Sequence, residues 1–191
     1  DLQALAGSGK LEVVALCDVD ESVAAEARAA FPDAKFVQDW RVLLGDMADQ
    51  FESVNVTVPD HMHAPIALQA LRQGKHVYCQ KPLTRTIAEA RKLATSSGTR
   101  GQLVTQMGNQ IQSEYEYRAA VDLLRHGVIG KVKEIHSWQS GAMGWILVDD
   151  RPTTTDPVPE TVHWDNWLGV APQRPFVSKI YHSFNWRAWQ D

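Results

Sequence analysis

From residue 2 to about residue 110 the apolar pattern of this chain switches back and forth between short β-rich runs and longer stretches of helical period, and that switching most restricts the folds open to it. A strand buried on both faces is a nearly continuous apolar run, whereas an amphipathic helix repeats every 3.6 residues; their regular succession specifies an α/β layer architecture around a parallel sheet. Leu2 to Ala6 reads as the tail of a helix ended by Gly7, Ser8 and Gly9, and LEVVALCD (11–18) as a buried strand. A helix over Glu21 to Phe31 is closed by Pro32, and a short strand at Lys35 to Val37 leads into a helix that begins at Asp39, whose carboxylate suits an N-cap. SVNVTVPD (53–60) is the next buried strand, followed by a helix over Ala64 to Gln73. Pro65 falls near that helix's first turn, where a missing N–H costs nothing, and Gly74 caps its end. A strand running into a turn (75–84), a helix over Thr86 to Ser97 and a strand over 102–110 complete the alternation.

Beyond residue 110 the pattern changes character. An amphipathic helix over Glu114 to His126 precedes a Gly-Val-Ile-Gly turn, and KVKEIHSWQS (131–140) has the alternation of a sheet with one wet face. The expected division is therefore 1–110 and 111–191, with RPTTTDPVPET (151–161) as an ordered loop or short linker.

Composition removes several classes of function. The 191 residues carry a net charge of -4, which leaves no basic surplus for nucleic acid and no polybasic run for an anionic membrane. The apolar runs are strand-sized, far short of the ~20 residues of a membrane span. Cys17 and Cys79 stand well apart in no metal or redox spacing, and are expected to pack as small hydrophobes. The chain opens at Asp1 without an initiator Met and closes on FNWRAWQD without a helix stop, so it reads as a piece of a longer protein whose compartment, bacterial cytoplasm or periplasm, is left open.

In a doubly wound sheet ligands gather at the carboxyl ends of the strands, and here those ends are unusually polar. Asp18, closing the first strand in CDVD, is placed either to accept hydrogen bonds from the ribose hydroxyls of a dinucleotide, which favours NAD over NADP, or simply to form a turn before Glu21. GSGK (7–10) follows a helix and precedes a strand, the reverse of a phosphate-binding turn, so it reads as a connecting loop. Thr57, Pro59, Asp60 and His63 collect at one strand end, and Gln80, Lys81 and Pro82 at the next.

This stretch, VTVPDHMHAPIALQALRQGKHVYCQKPLT, resembles the Gfo/Idh/MocA oxidoreductases (glucose-fructose oxidoreductase and inositol dehydrogenase type). They carry a T-P-x-x-x-H-like turn, an apolar helix, G-K-H-V and then E-K-P. Here Val58 separates Thr57 from Pro59, and Gln80 stands where Glu is usual, while Lys81 and Pro82 match. TQMGNQ (105–110) and GVIGKVKEIH (127–136) extend the likeness. The resemblance implies a Rossmann-type doubly wound α/β sheet lacking its first strand and glycine-rich turn, followed by the start of an α+β substrate domain with a largely antiparallel sheet. It further implies hydride transfer between a sugar or cyclitol hydroxyl carbon and NAD, NADP being less favoured. Lys81 would be the catalytic cation at the cleft mouth, beside Pro82 in a Lys-Pro bond that is often cis in that family. Asp18, Thr57, Pro59, His63, Gln80, Lys81, Pro82, Gly108 and Asn109 would line the cofactor, Gly108 by letting backbone come close. Two alternatives stay open: an NAD-dependent glycosidase of the same family, and a non-catalytic dinucleotide-binding protein. The family's catalytic Asp and His would fall after residue 191, so the piece itself is expected to be inactive and the whole protein to form homo-oligomers.

His61 and His63 have H-x-H spacing but no third ligand pattern, so no metal is expected; His61 reads as exposed, and His63 as lining the cofactor edge or capping a helix. Six of the seven tryptophans, Trp138, Trp145, Trp164, Trp167, Trp186 and Trp189, lie in the last third. Most are expected in the core of the second domain's sheet, the alternative being a platform for sugar rings.

Overall fold

The structure, a computed structural model, describes residues 2–98, 101–138, 150–182 and 185–189. Helix α1 (Leu2–Gly7) leads through a loop to β1 (Ala15–Cys17); α2 (Glu21–Ala30), β2 (Lys35–Val37) and α3 (Trp40–Asp46) follow. β3 (Ser53–Val56), α4 (Asp60–Arg72), β4 (His76–Gln80), α5 (Ile87–Gly98) and β5 (Thr105–Gly108) form the second run of alternation. All ladders are parallel: β1 pairs with β2, and separately β3–β4–β5 form a three-stranded sheet. These correspond to positions 2-3 and 4-5-6 of the common doubly wound order 3-2-1-4-5-6, and among the described residues no strand joins the two sheets.

The elements form where the pattern put them, but several strands are shorter. β1 occupies only the last part of 11–18, because its ladder has one neighbour, the three-residue β2; before it a single bond, Lys35 N–H to Val14 O at 3.0 Å, continues the pairing. Leu11 is exposed. α4 starts four residues earlier than expected. Pro59 takes the N-cap and Asp60 the first turn, so Pro65 lies inside the helix and removes one internal hydrogen bond. The helix is held instead by burial: Met62, His63, Ala64, Ile66, Ala67, Leu68, Ala70 and Leu71 all face the core. Its end is a Schellman cap, with Gly74 at φ 78°, Gly74 N–H to Leu71 O at 3.0 Å and Lys75 N–H to Ala70 O at 3.0 Å. Asp39 caps α3 as expected, accepting from Arg41 N–H at 2.8 Å. The first core joins Leu44, Val54, Val56, Val77, Cys79 and Leu93 to the buried face of α4.

Two expectations for the last third are corrected. Residues 131–138 form no strand, and 139–140 lie outside the described residues. A strand needs a ladder partner, and among the described residues this stretch has none; Ile135 and Trp138 are exposed, as are Leu123 and Leu124 on the preceding α6 (Tyr115–Arg125). Nor do the tryptophans build a sheet core. Trp164 and Trp167 of the short helix α7 (Trp164–Leu168) stack on each other at 4.8 Å, bury with Leu168, Phe176, Val177 and Tyr181, and are flanked by Trp186 and Trp189. Trp164 and Trp167, buried with their faces on one another, offer no sugar platform; Trp186 and Trp189 are half-buried, Trp138 is exposed and Trp145 is outside the described residues. Residues 151–161 are an ordered loop, tied by Asp156 N–H to Phe176 O and by Ser178 N–H to the Asp156 carboxylate, both at 2.9 Å.

Candidate functional site

The carboxyl ends of β1, β3, β4 and β5 carry Asp18, Thr57, Lys81 and Gly108 respectively. Within each sheet parallel pairing delivers the final residues to one edge, Asp18 and Gln38 after β1 and β2, and Thr57, Lys81 and Gly108 at the ends of β3, β4 and β5. Asp18 is half-buried, and one carboxylate oxygen accepts the Asp20 N–H at 2.9 Å. Burial, and secondarily the Asp20 carboxylate, hold its pKa above the ordinary value against hydrogen bonds from the backbone and the charge of His182. Neighbouring Cys17 is pushed up to about 12 by burial and by the negative charges of Asp18 and Asp39. Asp39, after β2, is occupied: it accepts the Arg41 N–H and pairs with the Arg41 guanidinium at 3.0 Å.

Lys81 is exposed on the turn after β4, and the Lys81–Pro82 peptide is cis. The Lys81 N–H donates to Gln80 Oε1 at 3.2 Å, so the amide that replaces the usual carboxylate binds its own turn. Gly108 is buried directly opposite Gln80 in the β4–β5 register. A Cβ on Gly108 would lie 2.7 Å from Gln80 Oε1 and 2.8 Å from the Tyr78 hydroxyl, so close packing against β4 demands glycine there. Asn109 is exposed and begins a 3-10 turn, Gln110–Ser113. Thr57 is exposed, its hydroxyl donating to Asn55 Oδ1 at 2.9 Å, and Pro59 is half-buried at the start of α4.

His63 lies beneath this edge rather than on it. It is 1% exposed; Nδ1 sits 2.6 Å from Pro82 O and Nε2 2.8 Å from Val58 O. The ring therefore ties the turn after β3 to the turn carrying Lys81, and touches no surface where a cofactor edge could lie. Its place in the sequence held the signal: His63 stands three and four residues before Ile66 and Ala67, on the apolar stripe of α4. His61 is likewise not exposed. Its Nε2 donates to Trp167 O at 3.0 Å, its ring meets Trp167 and Trp186 edge-on, and burial holds its pKa below the ordinary value.

The sequence placed Asp60 beside Thr57, Pro59 and His63 but did not show its partner Arg187, nor the part played by Asp20. Asp60, at the first turn of α4, pairs with Arg187 at 3.5 Å and feels the Lys81 ammonium, although burial outweighs these charges and raises its pKa. Arg187 stacks on Trp186 at 4.1 Å. Asp20 is the buried N-cap of α2 and meets His182 at 2.9 Å across 162 residues of sequence. The turn before Glu21 that the sequence offered to Asp18 is capped by Asp20 instead, and nothing in the local sequence links Asp20 to His182.

The fold and this edge define a dinucleotide-binding domain of the oxidoreductase kind. The chain belongs to the Gfo/Idh/MocA family, described as an oxidoreductase family with an NAD-binding Rossmann fold, whose pattern matches residues 2–107. It is 31% identical over 130 residues to inositol 2-dehydrogenase of Salmonella typhimurium, covering 66% of this chain and 37% of that protein. It is 35% identical over 78 residues to levoglucosan dehydrogenase of Pseudarthrobacter phenanthrenivorans, covering 41% of this chain and 20% of that protein. Among solved structures it resembles a 3-ketoreductase from Actinomadura kijaniata, determined with NADP and TDP-benzene, at 30% identity and a TM-score of 0.53, covering 61% of this chain and 35% of that one. The chain spans about a third of the length of the first curated relatives it matches, 31% and 37%.

Proposed function

We propose that the whole protein is an NAD-dependent oxidoreductase that moves a hydride between a hydroxyl-bearing carbon of a sugar or cyclitol and the nicotinamide, with Lys81 as its catalytic cation. The observation that carries this reading is that an acidic and a cationic side chain, half-buried Asp18 and exposed Lys81, each follow the carboxyl end of a parallel strand, β1 in one sheet and β4 in the other. The names of the relatives, an inositol dehydrogenase, a levoglucosan dehydrogenase and a ketoreductase, support the substrate class.

The residues present fit a dinucleotide. Asp18 keeps carboxylate capacity beyond its backbone hydrogen bonds from Asp20 and Val19, enough to accept a ribose hydroxyl, and its negative charge disfavours the extra phosphate of NADP. When bound, NAD supplies the hydride acceptor. Thr57, Pro59, Gln80, Pro82, Gly108 and Asn109 shape the nicotinamide end. Lys81 holds its ammonium against the substrate hydroxyl oxygen, where positive charge favours the alkoxide as the C–H bond opens and offers a site for the hydroxyl proton. His63 holds the Lys81 turn from below. The partners this reading requires are a small carbohydrate or cyclitol and a second copy of the protein.

Binding of NADH and NADPH to the whole protein, followed by nicotinamide fluorescence, tests the reading together with a sugar and cyclitol panel read at the NADH absorbance. Asp18→Ala is expected to weaken NADH binding and narrow the gap to NADPH. Lys81→Ala is expected to retain NADH but lose ~10²- to 10⁴-fold in turnover. Absence of dinucleotide binding in the wild-type protein would overturn the proposal.

A further inference from the structure

The loop that follows β1 is held by the far end of the chain. His163 N–H donates to Val19 O at 2.8 Å, Glu21 N–H donates to Thr161 O at 2.9 Å, and Asp20 forms an antiparallel bridge with Val162. Gln38 Nε2 donates to Thr161 O at 3.0 Å and reaches Val19 O at 3.4 Å, fastening the same strap to the end of β2. At the centre is Asp20, 4% exposed. Its Oδ1 accepts the Ser22 N–H at 3.0 Å and the Ser22 hydroxyl at 2.6 Å, and its Oδ2 accepts from His182 Nε2 at 2.9 Å. The backbone N–H of this same residue donates to the Asp18 carboxylate. A buried carboxylate with these partners fixes its own backbone, and that backbone aims Asp18.

We infer that His182, acting through Asp20, is a positioning residue for cofactor recognition: the segment 161–163 together with His182 locks the loop after β1 so that Asp18 presents its carboxylate to the ribose. This rests on the reading of Asp18 as the ribose acceptor. The C-terminal third of the chain is then part of the dinucleotide site although it contributes no contact to the dinucleotide itself. Selection of NAD over NADP depends on how tightly the loop is held, because a carboxylate free to swing away neither bonds the hydroxyls nor repels a phosphate.

The test compares NADH and NADPH dissociation constants, by nicotinamide fluorescence, for the whole protein and its Asp18→Ala, His182→Ala and His182→Gln variants. Circular dichroism and a melting curve are recorded for each. His182→Ala is expected to weaken NADH binding about tenfold, the loss typical of a hydrogen bond to a charged group, while NADPH binding changes less. His182→Gln, which keeps a donor near the position of Nε2, is expected to recover much of the NADH preference. Equal weakening of both dinucleotides with a lowered melting temperature would overturn the inference by showing a structural role alone. Unchanged binding in His182→Ala alongside lost NADH preference in Asp18→Ala would overturn it while leaving the reading of Asp18 intact. Unchanged binding in Asp18→Ala would overturn both.

Discussion

Replacing His63 by alanine tests how the Lys81 turn is supported. The side chain is 1% exposed and spans two carbonyls, Pro82 O at 2.6 Å and Val58 O at 2.8 Å. Truncation leaves a cavity in the first core and strips both carbonyls of the ring that faces them. A buried polar group without a partner costs ~1–3 kcal/mol, and the lost packing adds to it, so the whole penalty is on the order of 3–5 kcal/mol. At ~2–4 °C per kcal/mol for a domain of this size, the melting temperature should fall by roughly 6–20 °C. His63→Gln retains an amide donor able to serve one of the two carbonyls, and should recover part of the loss. Urea denaturation followed by circular dichroism gives the free energy, and turnover measured well below the melting temperature gives the catalytic effect. Since the ring joins the two turns, surviving folded His63→Gln should show reduced kcat with little change in NADH affinity. A stability loss under ~1 kcal/mol for His63→Ala, within the range of an ordinary surface substitution, would refute the argument that this ring fastens the turns.

Gly108→Ala places a methyl 2.7 Å from Gln80 Oε1 and 2.8 Å from the Tyr78 hydroxyl, so both side chains must move. Overpacking of this kind costs ~1–3 kcal/mol, measurable by thermal melting, and Gly108→Ala combined with Gln80→Ala should cost less than the separate changes added together. His61 is half-buried and its folded pKa is held below the ordinary value, chiefly by desolvation. At pH above ~6.5 the ring is neutral in both states and titration contributes nothing. As pH falls below that, the unfolded chain takes the proton first and stability declines until the folded pKa is passed. A stability-versus-pH curve for His61→Gln should be flatter than wild type below ~6.5, and parallel curves would refute the assignment.

The first 110 residues were legible because their signals are local: a continuous apolar run, an Asp before a helix, and a glycine after one each act within a few residues. β2 and the Asp39 cap fall where the pattern puts them for that reason. The misreadings arise where a neighbour decides. KVKEIHSW has strand-like alternation yet forms none, because alternation specifies a face and not a partner. Trp164 and Trp167 stack within one short helix, but His61 reaches them through a contact between segments over 100 residues apart.

His63 and Asp20 show why a polar residue in a motif need not touch the ligand. Both occupy positions that a motif reading assigns to the site or passes over, and both are nearly inaccessible. A carboxylate or imidazole at the surface can bond water, so its geometry is free; once buried, every polar atom needs a fixed partner, which for His63 are the carbonyls of Val58 and Pro82 and for Asp20 are Ser22 and His182, while the Asp20 N–H holds the Asp18 carboxylate. Burial thus converts a titratable side chain into a brace. The two surface groups proposed to meet cofactor and substrate, Asp18 and Lys81, each have such a brace below them: Asp20 with His182 at the ribose end and His63 at the hydride end. Their separation makes an experimental distinction. Weakening the first should move dinucleotide preference with turnover following from occupancy, and weakening the second should lower turnover at full occupancy.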